Sequence, residues 1–205
     1  MNSEFLLKVA MPLIFILMAG FFIFIALKTL IGRRPLVFSS RWLFAFMCLA
    51  FLPGIVNSIS MGFLSPRGFS MIAWINPLMF IVLLGFFWIQ MKGYMAFAIS
   101  DTYFREALLA SASSLGFSIE ETMSCLKIKE TGQEMQVAIQ GWIGTAQLKA
   151  RTKESNDTVK QVANGMTKYF ESTPGKMNFM TSYFYLIMGL FMVAMSIWMF
   201  TLKLK

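Results

Sequence analysis

Four long apolar stretches and one polar block divide the chain. A hydrocarbon core about 30 Å thick takes roughly 20 apolar residues in helix. Stretches of that length lie at about 5–27, 42–64, 69–91 and 179–202; the first is broken only by Lys8. Between the third and fourth, from about Asp101 to Lys176, charged residues recur every few positions. The pattern predicts an α-helical integral membrane protein with four transmembrane helices and a small α+β domain inserted between helices 3 and 4. It divides the chain into a membrane region at 1–100, a soluble domain at 101–176, and a fourth helix with its tail at 177–205. The first stretch is too long for a signal-peptide core, and Lys28, Arg33 and Arg34 follow it as a stop-transfer signal, so it is expected to be retained.

Inside the polar block the apolar period changes twice. Phe104, Leu108, Ala112 and Leu115 are spaced as one face of a helix over 103–115, and Gly116 is a stop signal. Ser118-Ile119-Glu120-Glu121 reads as a capping box opening a short helical turn. The period then falls to two. Leu126 and Ile128, then Met135, Val137 and Ile139, then Ala146, Leu148 and Ala150 alternate with mainly polar residues in three runs. Turns at 130–133 and 141–144 separate the runs, which predicts a three-stranded antiparallel meander with one apolar face. Val159, Val162, Ala163 and Met166 mark a second helix over 157–171, capped by Ser155 or Asn156. The expected order is α-β-β-β-α.

Composition sharpens the class. Hydrophobic residues are 57% and charged residues 14% of the 205, against about 45–50% and 25% in soluble domains. The net charge of +8 sits in the membrane part, because residues 101–176 hold nine basic and nine acidic side chains. It is therefore a topology signal rather than a nucleic-acid footprint. Lys28, Arg33, Arg34 and Arg41 crowd the first loop, whereas Arg67 is alone in the second. The positive-inside rule then places the first loop and the soluble domain in the cytoplasm, with both termini outside. Short bare loops and the lack of a cleavable leader fit a bacterial inner (plasma) membrane.

Histidine is absent, which removes the commonest general base and metal ligand. Two cysteines cannot build a four-ligand metal site. Cys48 lies in a span, and Cys125 has no histidine to activate it. No phosphate loop and no nucleophile–base pair is present, so no catalytic residue, metal or cofactor is expected. The spans carry no Asp, Glu or His, which argues against an ion-coupled carrier.

Three constellations remain as candidates. Asn57 and Asn76 lie at similar depth in the hairpin of spans 2 and 3, where an internal hydrogen bond is the default and a polar constriction the sharper reading. Gly54, Ser58 and Gly62 form a small-residue seam on span 2, flanked by Pro53. On the predicted outer sheet face, Lys127, Lys129, Lys149 and Arg151 form a basic patch that suits anionic lipid or an acidic partner. Met188, Met192, Met195 and Met199 share a face of span 4, read as adaptable packing rather than a soft-metal path. The expectation is a non-enzymatic accessory or assembly subunit. Its expected partners are the lipid bilayer and another membrane protein or a second copy, with no nucleic acid. An oligomeric channel or passive transporter around Asn57 and Asn76, or a membrane-anchored small-ligand sensor, is the alternative.

Overall fold

A computed structural model describes residues 9, 11–64, 71–122, 125–129, 131–152 and 154–201. Within its helices and strands, the side chains of residues 57, 60–64, 71–73, 76, 121 and 122 lie outside the description. The elements run α1 (Met11–Gly32), β1 (Leu36–Ser39), α2 (Ser40–Leu64), α3 (Met71–Gln90), β2 (Tyr94–Phe97), α4 (Asp101–Ser114), β3 (Ile119–Thr122), β4 (Cys125–Ile128), β5 (Glu134–Gln140), β6 (Thr145–Ala150), α5 (Ser155–Ser172) and α6 (Met180–Thr201). The chain forms two compact units. One comprises Met1–Ile23, Trp42–Met91 and Ile187–Lys205; the other comprises Phe24–Arg41 and Lys92–Leu186.

The protein is mixed helix and sheet, with two candidate membrane helices. Among the described residues, α1 and α6 qualify by length and composition to cross a membrane, whereas the described apolar stretches of α2 and α3 are shorter, at Ser40–Val56 and Pro77–Gln90. Four spans were predicted there. Those two stretches are bounded by Asn57 in α2 and Asn76 in α3, whose side chains lie outside the description. Both prolines, Pro53 and Pro77, lie inside continuous helices.

In the helical unit, Gly189 marks the close approach of α6 to α1. A Cβ there would stand 2.6 Å from Ile23 Cγ1 and 3.3 Å from the Ala19 carbonyl oxygen. One end of the contact is closed by Ser196, whose buried hydroxyl donates to the Pro12 carbonyl at 3.0 Å. Elsewhere in this unit Phe44 meets Trp88 edge-on at 5.1 Å, and Phe51 meets Phe80 at 5.4 Å.

The second unit is built on a six-stranded antiparallel sheet of order β1-β2-β6-β5-β4-β3. The predicted meander is its β4-β5-β6 portion. Three strands are additional, so the predicted α-β-β-β-α order is incomplete. The segment read as a capping box pairs as β3, because Ile119 lies opposite Ile128 and joins the apolar face. β1 and β2 come from the segments that follow α1 and α3, and β2 pairs with β6 through Tyr94–Leu148 and Ala96–Ala146.

Helices α4 and α5 cover one sheet face. Phe104, Ala107 and Leu108 of α4, with Val159, Val162, Met166 and Phe170 of α5, join Ala96, Leu126, Ile128, Met135, Ala146 and Leu148 in one buried cluster. The two helices cross where Ser111 Oγ donates to the Val162 carbonyl at 2.8 Å and Gly165 leaves room for that hydroxyl. Helix α4 starts on Ser100, whose side chain accepts from the Tyr103 N–H, and it ends before Gly116 at φ +75°. Leu115, expected on the buried face, is 38% exposed at the cap. Ser155 does not cap α5: its hydroxyl donates to the Thr152 carbonyl at 2.9 Å, and the capping position is Glu154.

Candidate functional site

The opposite sheet face is divided. At its β1-β2 end it is closed by aromatic rings. Phe38 stacks on Phe97 at 5.0 Å, and Phe97, fully buried, meets Tyr185 of α6 at 5.6 Å. At its β3-β4-β5 end it is open, and Lys127, Lys129, Gln136, Gln140 and Arg151 are exposed there, with Lys149 half-buried. This open end carries the predicted basic residues together with two acids. Register places Glu120 and Glu134 on either side of Lys127. Arg151 Nη1 donates to Glu134 Oε2 at 2.6 Å, and backbone N–H of Arg151 also reaches the Glu134 carbonyl. The face is therefore a mosaic of alternating sign, with four cations and two carboxylates. In the sequence pattern Glu134 falls between the turn at 130–133 and the strand that begins at Met135, and Glu120 falls in a capping box, so the pattern places neither on this face.

The unit includes the end of α1 and the start of α6, which bond to one another and to the β5–β6 turn. Thr29, in the last turns of α1, and Ser182, in the first turn of α6, are both buried, with their hydroxyls 2.8 Å apart. Asn178 links the β5–β6 turn to α6. Its Nδ2 donates to the Gly141 carbonyl at 2.6 Å, while its Oδ1 accepts from the Met180 N–H at 3.0 Å and so caps the helix. Thr181 adds a hydroxyl bond to the Ile143 carbonyl. Gly144 must be glycine: φ is +80°, and a Cβ would stand 2.8 Å from the Asn178 carbonyl oxygen. These clamps hold Trp142, 78% exposed, beside the start of α6. An indole at that level fits the aromatic belt of a membrane interface.

Of the other predicted residues, Gly54 lies against α3, where its Cβ position is 3.4 Å from the Phe80 ring. Ser58 is half-buried, and the surroundings of Gly62 fall outside the described residues. Asn57 and Asn76 lie on α2 and α3, but their side chains also fall outside the description. Met188, Met192, Met195 and Met199 are half-buried on α6. A further small-residue seam joins α1 and α6. On α1, Pro12, Ala19 and Ala26 recur every seven residues, and on α6 Ser182, Gly189 and Ser196 do the same; all six are buried. Spacing of seven is the signal that would have found it.

Among the described residues, no three His, Cys, Asp or Glu side chains cluster as a metal site. Tyr103 has its phenol pushed above the usual tyrosine value, first by burial and then by Tyr169 and Glu106, with Arg34 opposing. Its hydroxyl donates to the Thr173 carbonyl. That bond ties α4 to the end of α5 and has no chemical partner beyond it. No family model, curated protein or solved structure matches the chain.

Proposed function

We propose that the chain is a non-enzymatic integral membrane protein that acts as an accessory or assembly subunit. Its α+β unit stands on the cytoplasmic side as a docking platform. The observation that carries the reading is the mounting of the sheet. Asn178–Gly141 and Thr181–Ile143 tie its β5–β6 turn to the foot of α6, and Thr29–Ser182 joins that foot to the end of α1. A sheet anchored through this turn, and open at its β3-β4-β5 end, presents a preorganised surface at low entropic cost to whatever binds it.

The charge mosaic refines the expected partner. A uniformly basic face suits anionic lipid, at about 1 kcal/mol per Lys or Arg. Glu120 and Glu134, interleaved with Lys127, oppose that and favour a protein surface whose charges alternate in the complementary order. Positive-inside counting supports the orientation, with both termini outside. In this reading α2 and α3 complete a set of four spans, and the membrane is a bacterial plasma membrane.

The test is gentle extraction of the full chain followed by native mass spectrometry, for the wild type and for Lys127→Glu with Arg151→Glu. A stoichiometric protein partner, or a second copy, that is lost in the double variant supports the proposal. A wild type that runs as a bare monomer, or a partner retained by the double variant, overturns the docking role of this face.

A further inference from the structure

A second feature lies away from the sheet face. Lys28, Arg34 and Glu171 line one open groove of about 470 Å3, with Leu36 and Phe170 as its apolar wall and Thr167 alongside. The cations come from the end of α1 and the turn after it, and the carboxylate comes from the last turn of α5. The three charges share the groove without forming an ion pair with one another. Arg33 takes φ +45° directly after α1, a left-handed conformation that turns the chain from the helix into β1. Phe24, one turn before Lys28, is 54% exposed, and Lys28 Nζ lies 5.5 Å from its ring centroid. An exposed Phe on a membrane-crossing helix faces lipid, so Lys28 stands at the lipid boundary.

We infer that this groove binds the headgroup of an amine-bearing phospholipid, with the phosphate on Lys28 and Arg34 and the amine on Glu171. The inference rests on the reading that α1 crosses the membrane. Cations at a helix C-terminus are favourable by themselves, and that accounts for Lys28 and Arg34. It does not account for Glu171, which reaches the same groove from α5. The guanidinium fork takes two phosphate oxygens, and the ammonium adds a point charge. A headgroup with a phosphate alone meets repulsion from Glu171, whereas one carrying an ammonium is matched in sign at both ends. A groove of this volume falls inside the roughly 300–1,000 Å3 typical of small-molecule sites, and the Leu36–Phe170 wall suits the glycerol backbone.

The experiment uses the full chain in detergent, exchanged against equal amounts of phosphatidylethanolamine, phosphatidylcholine and phosphatidylglycerol, with retained lipid read by native mass spectrometry. The ethanolamine lipid is expected to be retained about tenfold over the other two, equivalent to about 1.4 kcal/mol. A trimethylated amine cannot donate to Glu171, and glycerol carries no charge. Glu171→Gln should erase the preference, and Lys28→Gln with Arg34→Gln should lower retention of all three about tenfold. Equal retention of the three lipids by the wild type overturns the inference without reference to any variant, as does unchanged retention in the double variant. Soluble phosphoethanolamine forms a further arm: displacement of the lipid would reassign the groove to a free phosphate ester, and persistence of the lipid supports the lipid source. Alkaline carbonate extraction, run in parallel, separates the two readings. A chain released from membranes fails the membrane reading itself, whereas a membrane-held chain with no headgroup preference fails only the groove.

Discussion

Thr29 and Ser182 are 153 residues apart in sequence, and their hydroxyl oxygens are 2.8 Å apart in a buried contact. Thr29 Oγ1 also lies 2.8 Å from the Ile25 carbonyl oxygen and 3.0 Å from that of Ala26. Thr29 keeps a carbonyl acceptor in its own helix, so Ser182, buried away from water, is the group that depends on the contact. Polar contacts of this kind in membranes average about 0.6 kcal/mol and reach about 1.7. A double-mutant cycle of Thr29→Val and Ser182→Ala should return a favourable coupling in that range by reversible unfolding in detergent. A coupling of zero would show that the two hydroxyls merely sit side by side.

Gly189 tests the same helix pair at a position with no room for a side chain. A Cβ on Gly189 collides with the Ile23 side chain, and the Ala19 carbonyl oxygen and Ile23 backbone nitrogen stand 3.3 Å away. Gly189→Val should therefore cost about 1–3 kcal/mol through overpacking. Ile23→Ala in the same chain should recover part of the loss, because the 2.6 Å contact is with its Cγ1. A valine variant as stable as the wild type would mean that α1 and α6 are not in contact at Gly189.

The exposed pair Arg151–Glu134 separates folding from association. Its side chains are 60% and 36% exposed, so water screens the interaction in spite of the 2.6 Å separation. Removing either member should change stability by less than about 1 kcal/mol. Any loss of partner binding in the charge-reversed protein is then a loss of surface complementarity. Circular dichroism melting of Arg151→Ala checks this, and a large drop in melting temperature would assign the pair to folding.

Sequence legibility followed the length of each pattern. β5 and β6 alternate over seven and six residues, and α5 keeps its apolar positions over 18. Patterns of that length survive in a single sequence. β1 and β2 have four residues each, and β2 buries both Ala96 and Phe97 because rings cover one face and helices the other. A strand buried on both sides has no alternation to read. β3 carried a local capping signature, and pairing of Ile119 with Ile128 prevailed over it. The mosaic face and the groove were illegible for a different reason. Each joins residues from distant segments, such as Lys28 with Glu171, and only the folded unit brings them together.

Trp142 reports depth. The turn that carries it is held by Asn178 and Thr181 at the start of α6, and the indole is 78% exposed. In a chain whose Trp42, Trp74, Trp88 and Trp198 are replaced by Phe, its fluorescence should be quenched most by lipids labelled near the headgroup. Labels at the acyl terminus should quench it least. Quenching by aqueous iodide alone would place the turn in water and remove it from the interface. Asn178→Ala should blur the depth profile, because the bond from Nδ2 to the Gly141 carbonyl is lost while Trp142 itself is unchanged.

Tyr103 gives the molecule a basic limit. Its ring is 3% exposed, and it packs at 5.1 Å from Phe170 and 6.1 Å from Tyr169. Burial disfavours the phenolate, and the hydrogen bond to the Thr173 carbonyl requires the proton. The folded value is therefore raised above the unfolded one, which lies near 10. Below pH about 10 both states hold the proton and the contribution is fully present. Above it the unfolded chain releases the proton and the folded chain retains it, so stability falls as pH rises through that window. The melting temperature of the wild type should decline between pH about 9 and 11. Tyr103→Phe should start lower, for want of the bond to Thr173, and decline less steeply. Parallel slopes in the two proteins would assign the alkaline loss to other groups and leave Tyr103 as packing alone.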